Sequence, residues 1–206
     1  MAKIKLTKGE LKRQRDSLQQ FRHYLPILQL KKKQLQIKIE EIRRVLAEKI
    51  EAFSLLEDKI RQWQGLLADP LIDIKPWLEV ERVTTFIMNI AGAEVPVFEE
   101  VSFKQISIDY YSTPFWIDKG IQQLRDFIAI LIEIEILKKQ INILEKELRT
   151  TTQRVNLFEK IKIPECLNNI RIIRIYLGDM QANAVGIGKI AKKKVAERTV
   201  AGTTTL

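Results

Sequence analysis

The sequence is poor in the residues that usually build catalytic and metal-binding sites. Its 206 residues include a single cysteine, Cys166, and a single histidine, His23. One cysteine excludes an internal disulfide and indicates a reducing compartment, and no cysteine–histidine spacing suits a metal ion. We therefore interpret Cys166 as a buried structural thiol and His23 as a packing residue. We find no candidate active site, and we expect neither a cofactor nor an enzymatic activity.

Long apolar runs are missing as well. The most apolar stretch, residues 127–137, is interrupted by Glu133 and Glu135 and is too short for a transmembrane helix, which needs about 20 residues. The first ten residues lack the apolar core of a signal peptide. We expect a cytoplasmic protein without a transmembrane segment. The two glutamates are no catalytic pair, because side chains two residues apart on a helix point about 200° apart.

A complete phosphate-binding loop is also missing. Gly186-Ile187-Gly188-Lys189 is similar to the end of such a loop. The full pattern requires glycine at position 183 and serine or threonine at position 190, where the chain has Asn183 and Ile190. A glycine-containing helix is the favoured interpretation.

A heptad repeat dominates the N-terminal third of the chain. Between Leu11 and Leu67, two series of positions spaced by seven and offset by three are apolar except at Gln14, Lys32 and Lys49. The intervening positions are mostly Lys, Arg, Glu and Gln. This period predicts a helix that supercoils around a partner, because one helix of this length cannot bury its own stripe. The predicted seam, with one residue from the second helical region, comprises Leu11, Leu18, Phe21, Leu25, Leu28, Leu35, Ile39, Ile42, Leu46, Phe53, Leu56, Ile60 and Ile141.

Local signals bound the first helix. Thr7 is a suitable N-cap, with Glu10 completing a capping box, and Gly65 followed by Asp69-Pro70 ends the helix. Pro26 lacks an amide donor and clashes with the preceding turn. Because the seam continues on both sides of Pro26, we expect a kink, with a break into two helices as the alternative.

Residues 70–116 differ in kind, since they hold four of the six prolines and two of the three tryptophans. Two β-prone runs, residues 80–90 and 95–108, flank the turn signal Ala91-Gly92-Ala93-Glu94 and predict a hairpin. A lone hairpin is marginally stable, so we expect it to lean on the helices through its aromatic side chains.

Helical spacing returns from residue 117. Apolar residues there recur at alternating steps of four and three residues. Near Leu137 an additional step of three interrupts this alternation, an irregularity called a stammer. Residues 132–136 alternate and could form a strand, but their helical flanks favour a helix. Pro164 marks a further kink or break. The predicted fold is mainly α: a long antiparallel two-helix coiled coil formed by residues 1–69 and 117–195, a β-hairpin insert at 70–116, and a disordered tail at 196–206.

The positive charge lies at the two ends. The formal net charge is +9, of which residues 1–15 contribute +5 and residues 186–206 contribute +4. Antiparallel pairing of the helices predicts that both basic ends meet at one tip. Such a tip could bind nucleic acid, but it lacks interleaved aromatic residues, and solvated charge is the simpler interpretation.

Three stretches together resemble the D subunit of the V-type and A-type ATPases. They are Leu6-Thr7-Lys8-Gly9-Glu10-Leu11; residues 89–96, where a glycine precedes Val95-Pro96; and residues 154–159 followed by Ile163-Pro164 and a further helix. The resemblance covers about residues 5–195 in the family's order. The chain departs from the family at Pro26 and in the segment from Gly178 to Gly188.

The resemblance implies a central rotor shaft without chemistry of its own. Such a shaft turns in a head of catalytic and non-catalytic subunits, and it is connected to a membrane ring that moves H⁺ or Na⁺ by a small companion subunit and a funnel-shaped subunit. It would lie at the cytoplasmic face of the membrane. The alternatives are a coiled-coil tether or scaffold and, less favoured, a nucleic-acid binder. A plain tether needs no β-rich insert.

Overall fold

The computed structural model describes residues 4–68, 74–104 and 114–203, with side chains for 4–67, 74–104 and 114–196. Helix α1 spans Lys8–Trp63, strands β1 and β2 span Val80–Ile90 and Ala93–Phe103, and helices α2 and α3 span Ile117–Leu157 and Ile163–Thr203. Short 3₁₀ turns occupy Gln64–Ala68 and Lys75–Leu78, and a π-helical turn occupies Phe158–Lys162. Helical residues are 81% of the described part, which confirms the predicted mainly α fold with a mid-chain hairpin.

Helix α1 begins where the sequence predicted and runs through its proline. The Thr7 hydroxyl accepts a hydrogen bond from the Glu10 amide at 3.3 Å, which is the N-cap contact. Pro26 lies inside the helix without ending it. The cost of an interior proline is about 3 kcal/mol, and apolar packing on both sides of Pro26 offsets it. The helix ends at Trp63, and the predicted stop signal Asp69-Pro70 lies outside the described residues.

The hairpin is closed by a two-residue turn. Ala91 and Gly92 both have positive φ, 51° and 82°, as a type I′ turn requires. The Gly92 amide donates to Asn89 Oδ1 at 2.9 Å. The two strands are antiparallel, with Ile90 opposite Ala93 beside the turn and Val80 opposite Phe103 at the other end. The register shifts at two places between these pairs. The predicted hairpin is confirmed, and residues 105–108 of the second β-prone run lie outside the described residues.

Helix α2 runs without interruption through residues 132–136, so the helical interpretation of that alternating run is confirmed. After Leu157 the chain makes a π-helical turn, in which the Ile163 amide donates to the carbonyl of Phe158, five residues earlier. Pro164 follows in the first turn of α3, where a missing amide donor costs little. The helical path therefore continues past Pro164 by way of a wider turn.

Helix α3 extends further than the sequence predicted. It continues through Gly178, Gly186 and Gly188 to Thr203, and so includes residues 196–203 of the segment expected to be a disordered tail. Residues 191–198 are mostly Ala, Lys, Glu and Arg, which are good helix formers. Extending an existing helix also avoids the cost of nucleation.

The chain forms two compact units. The terminal unit comprises residues 1–29 and 153–206, and the hairpin unit comprises residues 30–152. In the terminal unit, α1 and the region of α3 are antiparallel, because Gln14 contacts Asn169 and Phe21 contacts Phe158. In the hairpin unit α1 and α2 are also antiparallel, as the contacts Lys31–Glu147 and Phe53–Phe127 show.

Candidate interaction surfaces

The sequence features that resembled chemical sites are parts of ordinary helices. Residues 186–189 lie inside α3, whereas a phosphate site needs a loop that leads into a helix N-terminus. His23 is exposed, with its ring edge against Tyr24 at 5.5 Å between centroids, so it is not a residue of the packed seam. Among the described residues, no three His, Cys, Asp or Glu side chains are arranged to hold a metal ion. None of the described helices is long and apolar enough to cross a membrane.

Cys166 is a buried thiol of the terminal unit. It is 5% exposed and lies on the same face of α3 as the buried residues Ile170 and Ile173. Burial, and secondarily the negative charge of Glu165, raise the pKa of the Cys166 thiol, while Lys162 acts in the opposite direction. A thiol with a raised pKa carries little thiolate near neutral pH and is a poor nucleophile.

Glu133 and Glu135 have separate partners, as their spacing on a helix predicted. Glu133 pairs with Lys49 of α1 at 2.8 Å, and Glu135 pairs with Lys139 of its own helix at 4.0 Å. The two carboxylates therefore do not form an acid–base pair.

The predicted seam residues all lie on the inward side of their helices. Each of the thirteen is buried or half-buried, and Leu35, Ile39 and Ile42 are the most buried residues of α1. The large apolar residues of α1 that are exposed lie outside the predicted seam, as Tyr24 and Leu30 do. This distribution is the one that a helix packed along a single stripe should have.

Ion pairs join the two helices of the hairpin unit. Lys31–Glu147 and Arg43–Glu145 each measure 2.7 Å, and Lys49–Glu133 measures 2.8 Å. All six side chains retain solvent exposure, so each pair contributes at most about 1 kcal/mol. All three pairs fit this alignment of the helices, and a shift by one helical turn would separate their partners.

The hairpin packs on the helices through small aliphatic side chains. Ala93 and Val95 are buried in one cluster with Leu35, Leu137 and Leu144. The expected aromatic contact is limited: Phe86 is 44% exposed. Phe103 does contact α2, since its ring centroid is 5.2 Å from the Arg125 guanidinium.

Two polar residues of α2 hold the hairpin and were missed from the sequence. Gln140 is 5% exposed, and its amide donates to the Pro96 carbonyl at 2.7 Å. Arg125 donates to the carbonyls of Trp77 and Lys104 at 3.0 and 3.2 Å. The sequence did contain a signal for Gln140, because it belongs to a second stripe on α2 formed by Ile136, Gln140 and Ile143. The predicted seam did not include this stripe.

The basic ends do not pair side by side as helices. Because Gln14 contacts Asn169 in an antiparallel pair, the start of α1 at Lys8 lies near the level of residue 175. Residues 186–203 of α3 therefore extend past the N-terminus of α1, contrary to the expectation that both basic ends meet. Met180 and Ile187 continue the stripe of α3 but are 53% and 68% exposed.

Comparison with known proteins gives one consistent family. The sequence model of the family of ATP synthase D subunits matches residues 10–193. The D subunit of the V-type ATP synthase of Borreliella burgdorferi is 44% identical over 198 residues, 96% of this chain and 98% of the relative. The proteins of the same name from Chlamydia caviae and Chlamydia pneumoniae are 36% and 32% identical, each over at least 96% of both chains.

Proposed function

The chain belongs to the family of ATP synthase D subunits, and we propose that it is the central rotor shaft of a V-type or A-type rotary ATPase. It turns within the head of the complex and couples ATP hydrolysis or synthesis there to the transport of H⁺ or Na⁺ through the membrane sector. The chain is not catalytic in this function. Its task is to transmit torque.

The observation that supports the proposal most directly is the pairing of long helices in both compact units. Apolar seam residues face inward in each unit, and ion pairs join the helices of the hairpin unit. Two helices packed along a common stripe resist twisting better than one helix, because a twist must shift side chains packed at close to crystal density. Transmission of torque requires this resistance and requires no cavity for a substrate.

The proposed partners follow from the same function. The head contributes catalytic and non-catalytic subunits, and a small companion subunit together with a funnel-shaped subunit connects the shaft to the membrane ring. The chain would be cytoplasmic and peripherally associated with the membrane through the complex. No nucleic acid is among the proposed partners.

The C-terminal part of α3 suggests where the head is contacted. Residues 186–196 have almost entirely exposed side chains and include Lys189, Lys192, Lys193 and Lys194. The fold gains little from residues that bury so little surface, so we assign this segment to contact with the head. Deleting residues 186–206 should therefore weaken coupling, measured as ions moved per ATP, more than it weakens the fold.

The test is a complex reconstituted with the full-length or the truncated chain. ATP hydrolysis and ion transport are measured side by side, with circular dichroism as the control for folding. The proposal predicts a folded truncated chain with less transport per ATP hydrolysed. Unchanged coupling, or a truncated chain that fails to fold, would contradict the role given to the segment. A tagged full-length chain that recovers no ATPase subunits would instead indicate a tether in another assembly.

A further inference from the structure

Three arginines line one open groove in the terminal unit. Arg15 and Arg22 of α1 and Arg174 of α3 surround a concavity of about 320 Å³, whose apolar lining includes Leu18, Leu167 and Ile170. We call these six residues the arginine groove. The three arginines are exposed, Leu167 is 44% exposed and Ile170 is buried. The groove therefore combines accessible positive charge with accessible apolar surface.

None of the three guanidinium groups has an anionic partner among the side chains that the structure describes. Arginines elsewhere do: Arg43 pairs with Glu145 at 2.7 Å and Arg61 with Glu57 at 3.1 Å. Arg15, Arg22 and Arg174 take part in none of the described ion pairs. Like charges that converge on one concavity repel one another, so the free chain leaves this groove without compensating charge.

The terminal unit as a whole also has an excess of positive charge. Residues 1–29 and 153–206 contain seventeen Lys and Arg against six Asp and Glu. The net charge of this unit is thus +11, against +9 for the whole chain. An anionic partner is attracted to the terminal unit as a whole, and the groove offers it three guanidinium groups suited to two-point hydrogen bonding with carboxylates.

The apolar lining indicates what carries the negative charge. A nucleic-acid backbone or a free phosphate would leave the exposed part of Leu167 and the half-buried Leu18 without a matching surface. A protein segment with both carboxylate and apolar side chains complements the arginines and the lining together. The groove is open rather than enclosed, which suits side chains presented by another protein more than a small molecule surrounded by its site.

We propose that the arginine groove binds an acidic, partly apolar segment of the head subunits. The identity of the partner as a head subunit rests on the proposed rotor function, whereas the chemistry of the segment comes from the groove. Binding places carboxylates against Arg15, Arg22 and Arg174 and covers Leu167 with an apolar side chain. The contact supplies attraction that depends on salt, because the arginines remain near solvent.

The experiment compares two triple variants that change charge equally within the same unit. The groove variant carries Arg15→Gln, Arg22→Gln and Arg174→Gln. The control carries Arg13→Gln, Arg154→Gln and Arg171→Gln, which are exposed arginines outside the groove. Binding of each full-length chain to a head assembled from catalytic and non-catalytic subunits is measured at several salt concentrations. Thermal unfolding checks that the folds match.

The groove variant should raise the Kd at least about tenfold at 0.1 M salt and flatten its salt dependence, since loss of interface charge acts through screened attraction. The control variant should change the Kd less than about threefold. Equal effects of the two variants would overturn the groove but leave the rotor function standing. A full-length wild-type chain that fails to bind the head would overturn both. Short duplex DNA that binds the wild type but not the groove variant, with head binding unaffected, would show a phosphate site and contradict the proposal.

Discussion

Replacing Leu35 by alanine tests whether the helix pair and the hairpin share one core. Leu35 is completely buried and belongs to the cluster that includes Val95, Leu137 and Leu144. Leu→Ala substitutions in cores cost about 2–5 kcal/mol, and the cost rises with the cavity that remains. Since this cluster draws on α1, α2 and the hairpin, the site cannot collapse easily, and we expect the upper part of the range, about 3–5 kcal/mol.

Leu55→Ala is the matched control, because Leu55 lies on the same helix and is 58% exposed. The same chemical change there should cost less than about 0.5 kcal/mol. Urea unfolding followed by circular dichroism measures both variants. With an m-value of about 3 kcal/mol/M, Leu35→Ala should lower the midpoint by about 1–2 M. Equal midpoints for the two variants would refute the assigned packing of α1.

Three further predictions test other contacts. Gln140→Ala should destabilise the protein by about 0.5–1.5 kcal/mol, because it removes the hydrogen bond from the buried Gln140 amide to the Pro96 carbonyl. It should also speed amide hydrogen exchange in the hairpin; unchanged exchange would contradict the contact. Gly92→Ala should lower the free energy of unfolding by about 1 kcal/mol, because the backbone of Gly92 has a positive φ. Gly178→Ala should raise the free energy of unfolding by about 1 kcal/mol, because Gly178 lies inside a helix with open space around the added Cβ. Thermal unfolding that shows the same sign for both variants would contradict this. Cys166 should react slowly with an alkylating reagent at pH 8 and rapidly in urea, and equal rates in both conditions would rule out the buried thiol. Because the pKa of the Cys166 thiol is raised in the folded state, its contribution to stability should be lost as the pH rises through that pKa.

The main elements could be predicted because their signals are local and repeated. Heptad spacing is a property of the backbone period, and it predicts one stripe of α1 from Leu11 to Ile60 as the packed face. The turn at Ala91-Gly92 was predicted because positive φ is costly for most residues and glycine accepts it. The N-cap at Thr7 is likewise a contact over three residues. Each of these features depends on neighbours in the sequence.

The remaining features depend on residues that are distant in the sequence. Gln140 reaches Pro96 and Arg125 reaches Trp77 only after the hairpin has packed on α2. The second stripe on α2 could have indicated that Gln140 faces inward, but no local pattern indicates its partner. The arginine groove likewise requires α1 and α3 to meet. The helical residues 196–203 were missed for another reason, since the preceding lysine- and alanine-rich turns propagate the helix into the segment expected to be a tail.

Rotation observed on single complexes tests the rotor function most directly. The head is fixed to a surface through its catalytic subunits, and a bead is attached to Glu99→Cys, an exposed position on β2, while the native Cys166 stays buried. ATP should drive rotation of the bead in one direction, and the rotation should stop when ATP is replaced by a non-hydrolysable analogue. A bead that keeps a fixed angle to the head, or fluctuates without direction while the same complexes hydrolyse ATP, would contradict the assignment of this chain as the shaft.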